Sequence, residues 1–175
     1  MWEPSAAQSP SEAGQQSGEA TPETQGRLVV ETRFGALEFG AENRVYMPLG
    51  LLGFSDHHNF GIADLPQPEL AAFKLLQCLE DTSLSFLVNP LKIDEGRVAR
   101  EDLEDAALSV GIPVEAAAFL LIVTLRQADQ GLNVTVNLRA PVVIDVNRAL
   151  ARQVVMANSA YPIQQPLTLG QGTAG

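Results

Sequence analysis

The residues of this chain with the widest chemical repertoire are few: His57 and His58, the acids Asp56, Glu80 and Asp81, the hydroxyls Ser83 and Ser85, and Cys78. Imidazole is both a general base and a metal ligand. Adjacent histidines point to opposite faces of an extended segment and lie about 100° apart around a helix. A metal would then need Asp56 and further donors from distant sequence, so the pair is read as a solvated part of a surface loop. Ser83 and Ser85 flank Leu84 with no Gly-x-Ser-x-Gly elbow, and the histidines have no evident orienting carboxylate, so a hydrolase triad is poorly supported. Glu80 and Asp81 would suit acid and base work if burial separated their pKa values. At a turn, however, Asp commonly bonds the backbone that follows it, and that is the reading taken.

Cys78 lies in an apolar run and reads as a small core residue. As the only cysteine it excludes an intrachain disulfide, a multi-cysteine zinc site and a paired-cysteine redox motif. Neither a Walker-type nor a dinucleotide-binding glycine loop is present. The expectation is a protein without enzymatic activity, cofactor or metal, built to be touched by a partner.

The elements that would position these residues are mostly strands. FLLIVTL, LNVTVNL, PVVIDV and RQVVMA, between Phe119 and Ala157, are short, rich in β-branched residues and separated by turn residues or proline. Residues 27 to 48 predict a three-strand meander broken at Phe34-Gly35 and at Gly40 to Asn43. GLLGFSDHHNF reads as a loop with one helical turn at Phe54 to Asn59. FGIADL, AFKLLQCL and LSFLVNP resume strand, the last ended by Pro90, which has no donor for a ladder. Only Val98 to Val110 has helical period, with Leu103, Ala106, Ala107 and Val110 on one face and Glu101, Asp102, Glu104 and Asp105 on the other. The fold expected is mainly β, a single antiparallel β-barrel-like domain with one short α-helix.

At 175 residues and 46% apolar content the chain suits one domain. Residues 1 to 26, with Trp2 as their only large apolar side chain, and residues 168 to 175 read as disordered tails around a domain at 27 to 167. Lys and Arg number 11 against 21 Asp and Glu, a formal charge of -10. Direct nucleic-acid binding is therefore not expected, and a basic protein partner is the natural complement. No signal or membrane-spanning segment is read, which points to a cytoplasmic protein.

In order along the chain, ETRFGALEF, GLLGF, LQCLEDTSLSFLVNP and VTVNLRAPVVIDVNRALARQVVMANSAYPIQQPL resemble the flagellar assembly factor FliW family, over about Val29 to Leu167. The resemblance implies a non-enzymatic β-barrel-like protein that binds flagellin and, in many bacteria, the carbon storage regulator CsrA, a translational repressor of flagellin mRNA. Flagellin and CsrA compete, so that export of flagellin frees the protein to capture CsrA, at a surface away from its RNA site. The most family-like stretches nominate Glu80, Asp81, Leu84, Asn89, Asn137, Arg139, Asn158 and Tyr161 as partner-binding residues of a monomer. One departure is Asn89, where the family commonly has an acid before the proline. Two other readings are a small-ligand-binding barrel, which needs an internal cavity, and a hydrolase using His57 or His58.

Overall fold

The computed structural model describes residues 26 to 168. The expected tails, 1 to 26 and 168 to 175, lie outside these residues except for Gly26 and Thr168. The described chain forms β1 (Leu28–Thr32), β2 (Gly35–Phe39), β3 (Arg44–Tyr46), β4 (Asn59–Asp64), β5 (Lys74–Cys78), β6 (Ser85–Leu91), α1 (Arg100–Ser109), β7 (Ala117–Ala128), β8 (Gly131–Val136), β9 (Val142–Asp145), β10 (Leu150–Gln153) and β11 (Gln165–Pro166).

Nine strands pair in the order β11-β8-β7-β6-β5-β4-β3-β10-β9, and β9 returns to pair with β7. The chain thereby closes a ring of seven strands, the barrel-like antiparallel architecture read from the sequence. One contact in it is parallel: β3 meets β10 through the single pair Tyr46 and Leu150.

Alternation along the strands supplies two cores. Val45, Phe60, Leu76, Cys78, Val88, Leu120, Val142 and Ala151 come from all seven ring strands and fill the interior. The opposite faces of β5, β6, β7 and β9 carry Leu75, Leu87, Leu121 and Val143, which pack with β8 and with Leu103, Ala106 and Ala107 of α1. Burial on both faces explains why LSFLVNP is apolar at nearly every position.

Four expectations are corrected. The first three strands are not one meander: β1 and β2 form their own two-stranded sheet, and β3 joins the ring. A 3-10 turn at Ala41–Asn43 reverses the chain, and the Arg44 guanidinium donates to the Phe39 carbonyl at 2.8 Å, which parts β3 from β2. β2 instead lies on β4, where a Cβ on Gly61 would sit 2.2 Å from the Phe39 ring. Pro90 does not end β6, which runs through it to Leu91. The ladder to β5 has stopped at Val88, so Pro90 is paired only with β7. Residues 54 to 59 hold no helical turn: Phe54 bridges to Leu51, Ser55 and Asp56 turn the chain, His57 and His58 have no regular structure, and Asn59 begins β4. The last run places its strand at Leu150–Gln153, earlier than RQVVMA suggests, although Val154 and Met156 still donate to the carbonyls of Pro141 and Arg139.

Candidate functional site

The candidate residues fall in three places. The first is the turn between β5 and β6. Gln77 is fully buried beneath it, and its Nε2 donates to the carbonyls of Cys78 (2.9 Å), Thr82 (3.1 Å) and Leu84 (3.1 Å). Those bonds fix the path of the chain through Glu80 and Asp81. Asp81 Oδ1 accepts from the Ser83 amide at 3.0 Å and the Ser83 hydroxyl at 2.6 Å, the turn chemistry expected of it. Glu80 reaches the loop before β4: its Oε2 accepts from the His58 amide at 2.8 Å and its Oε1 from Asn59 Nδ2 at 2.5 Å. These bonds hold both carboxyls below the ordinary carboxylate range, Glu80 chiefly through the His58 amide and then Asn59, Asp81 through the Ser83 hydroxyl and then its amide.

The histidines are not the freely solvated pair read from the sequence. Both are half-buried. His58 Nδ1 donates to the Met47 carbonyl at 3.0 Å, and His57 Nε2 stands 3.8 Å from Asp81 Oδ2. His57 therefore has a neighbouring carboxylate that no sequence spacing announced. This is not a triad, because Ser83 gives its proton directionally to Asp81 and bonds no imidazole. Among the described residues no three His, Cys, Asp or Glu side chains are grouped to hold a metal. Leu84 is half-buried and joins Phe54 and Phe86 at the edge of the inner core, where the two rings meet edge to face at 5.2 Å.

The second place holds four candidates on two neighbouring bends, two of which, Asn158 and Tyr161, meet on one acid. Asn137 Oδ1 accepts the amides of Arg139 (2.9 Å) and Ala140 (3.0 Å), forming the bend after β8. Arg139 Nη1 donates to the Ser159 carbonyl at 3.1 Å. Asn158 turns the next segment by accepting the Ala160 amide at 3.0 Å, and its Nδ2 lies 3.4 Å from Asp102 Oδ2. The Tyr161 hydroxyl donates to that same oxygen. Asp102, in the first turn of α1, is the residue that sequence reasoning missed as an organiser; its only signal was an acid at a helix start.

Asn89 stands apart at 7% exposure. Its Nδ2 donates to the Ala72 carbonyl at 2.8 Å and its Oδ1 accepts Arg97 Nη1 at 2.6 Å, while Arg97 Nη2 donates to the Pro90 carbonyl at 3.1 Å. Both ends of the amide are thus engaged inside the fold, in a tie between β6 and the segment leading to α1. No hydrogen bond among the described residues joins the Glu80-Asp81 turn to the Asp102 corner.

The family model for "FliW protein" matches residues 28 to 167, nearly all of the described chain. The chain belongs to the FliW family. Among curated flagellar assembly factors FliW, that of Geotalea uraniireducens is 35% identical over 141 residues, covering 79% of this chain and 82% of the relative. That of Desulfitobacterium hafniense is 33% identical over 150 residues (83% and 95%), and that of Natranaerobius thermophilus 31% over 146 residues (83% and 95%). A crystal structure of the flagellar assembly factor FliW superposes with a TM-score of 0.60 at 23% identity, covering 83% of this chain and 99% of that one, which establishes the shared fold. The FliW family is one of flagellar assembly factors, and the geometry above belongs to a member in which no helix of the described residues is long and apolar enough to cross a membrane.

Proposed function

We propose that this FliW-family protein acts by protein contact, binding flagellin and antagonising CsrA in the cytoplasm, and so couples flagellin synthesis to export. The observation that carries the reading is the Glu80-Asp81 turn. It is an accessible pair of carboxylates kept ionised by hydrogen bonds and held rigid by buried Gln77, on a chain of net charge -10. Such a surface attracts a basic RNA-binding protein and repels the RNA itself. Rigid, pre-ordered polar groups also lose little entropy when a partner docks. Competition between the two partners then follows from mass action.

Calorimetric titration of the purified chain with flagellin, and separately with CsrA, tests the proposal. Binding heat is expected with both, and a CsrA association rate that falls with added salt. Absence of heat with either partner ends the proposal, and a salt-independent rate removes the acidic surface from it.

A further inference from the structure

β10 has one paired edge and one that is mostly open. It pairs with β9 from Leu150 to Gln153, and Val154 and Met156 carry that side on by donating to the carbonyls of Pro141 (2.9 Å) and Arg139 (2.7 Å). Alternate residues of an antiparallel ladder turn their amide and carbonyl to opposite edges, so those of Gln153 and Val155 face away from β9. β3 meets that edge only at Leu150, and among the described residues neither Gln153 nor Val155 has a backbone hydrogen-bond partner. Val155 is also more than half exposed, a β-branched side chain where a solvated edge more often carries a charge or a proline.

The edge borders a cleft of about 220 Å³, in which Val155 and Ala157 face Asp102, Asp105 and Ser109 of α1. Asn158 and Tyr161 already engage Asp102. Asp105 is exposed, and no ion pair or side-chain hydrogen bond among the described residues holds its carboxylate. At the Gln153 end stands Leu52, more than half exposed, whose amide donates to Gln153 Oε1 at 2.9 Å.

We infer that this edge is a docking surface for an extended, basic segment of a partner protein, which adds a strand along residues 153 to 157, lays apolar side chains on Val155 and Leu52, and brings a lysine or arginine to Asp105. Main-chain hydrogen bonds supply affinity in strand addition, and the flanking side chains select the sequence. Charge decides the occupant: a second copy, also of net charge -10, would set acid against acid, whereas a basic segment is attracted. The surface lies outside the Glu80-Asp81 turn and goes beyond the function proposed above.

A short synthetic peptide that alternates valine with lysine, titrated into the isotope-labelled full chain, tests the inference. In the complex, amide exchange at Gln153 and Val155 should slow several-fold, with the already paired Val154 and Met156 little changed. A peptide carrying glutamate in place of lysine should bind about tenfold more weakly. Val155→Pro removes an edge donor that the fold does not use, so the thermal transition should hold while affinity for the lysine peptide falls about tenfold, equivalent to about 1.4 kcal/mol. Should Val155→Pro fail to fold, Asp105→Lys, at an exposed position, still decides by weakening the lysine peptide and strengthening the glutamate one. No binding at millimolar peptide, a complex that leaves the two edge amides unprotected, affinities unchanged in the folded variants, or edge amides protected without peptide in a concentration-dependent dimer, each overturns the inference.

Discussion

Tyr161 donates its phenolic hydrogen to Asp102 Oδ2 at 2.5 Å, and its oxygen accepts the Ala99 amide at 3.0 Å. Ala99, the residue before α1, has no side chain that can cap the helix, so a tyrosine from the far end of the chain takes that part. The helix start and the 158 to 161 segment are thereby one unit.

Tyr161→Phe should lower stability by about 1 to 2 kcal/mol, the cost of an orphaned helix-start amide and of an acid left with Asn158 alone, read as a lower urea midpoint with unchanged slope. The pH dependence has a definite sign. Burial first, and the Asp102 bond second, raise the Tyr161 pKa, which favours its neutral form in the folded state. Its contribution is therefore full below the ordinary phenol pKa and is lost as pH rises through the raised value. Urea midpoints measured into the alkaline range should fall more steeply for the parent than for Tyr161→Phe.

Glu80→Ala should release the loop before β4 from the β5–β6 turn. Amide hydrogen exchange at His58 is expected to quicken several-fold, with little change in the amides of β7. Because the Glu80 pKa is lowered on folding, its tie is present above the ordinary carboxylate pKa and is lost as pH falls through the lowered value. Acidification of the parent should reproduce the exchange pattern of the variant, and an exchange rate at His58 unmoved by either change would show that Glu80 does not hold the loop.

Gln77→Leu keeps the volume near that of glutamine and removes the donor to three carbonyls. A loss of about 1 to 2 kcal/mol is expected, since the Thr82 carbonyl loses its donor while the Leu84 carbonyl keeps the Cys78 amide, and the buried Gln77 Oε1, which has no partner among the described residues, is removed as well. The thermal midpoint gives the stability, and flagellin or CsrA binding by the folded fraction should weaken with it, because the Glu80-Asp81 turn loses its support.

Gly61→Ala pushes a methyl group into the Phe39 ring, and should cost about 1 to 3 kcal/mol by overpacking. The backbone angle at Gly61 is not the obstacle, so Phe39→Leu in the same chain should recover part of the loss. Urea unfolding of the two single variants and the double variant measures that coupling; strict additivity would mean that the two residues do not press on one another.

The strands β4 to β9 and α1 were legible because local pattern reports burial: β-branched runs in one case, Leu103, Ala106 and Ala107 at helical spacing in the other. Partner choice was not. Nothing in the period of residues 28 to 46 says that β2 will pair with β1 alone while β3 crosses to β4 and β10. The same limit governs the candidate site. Asp81 as a turn former follows from its neighbours, whereas its approach to His57, and the meeting of Asn158 and Tyr161 on Asp102, are made by chain closure over 24, 56 and 59 residues. Pro90 misled because its missing donor matters only where a second neighbouring strand is present, and β5 has already departed.

Seven staves make the ring, yet at the joint of Tyr46 with Leu150 only a single rung fastens one stave to the next, where β4 and β5 share five. A hoop divides its strain unevenly under such conditions: the thinly fastened joint is the hinge line, and the opposite wall moves as a rigid plate. Opening of the ring is therefore expected first between β3 and β10, with the wall that bears Gln77 and its carboxylate turn parting last.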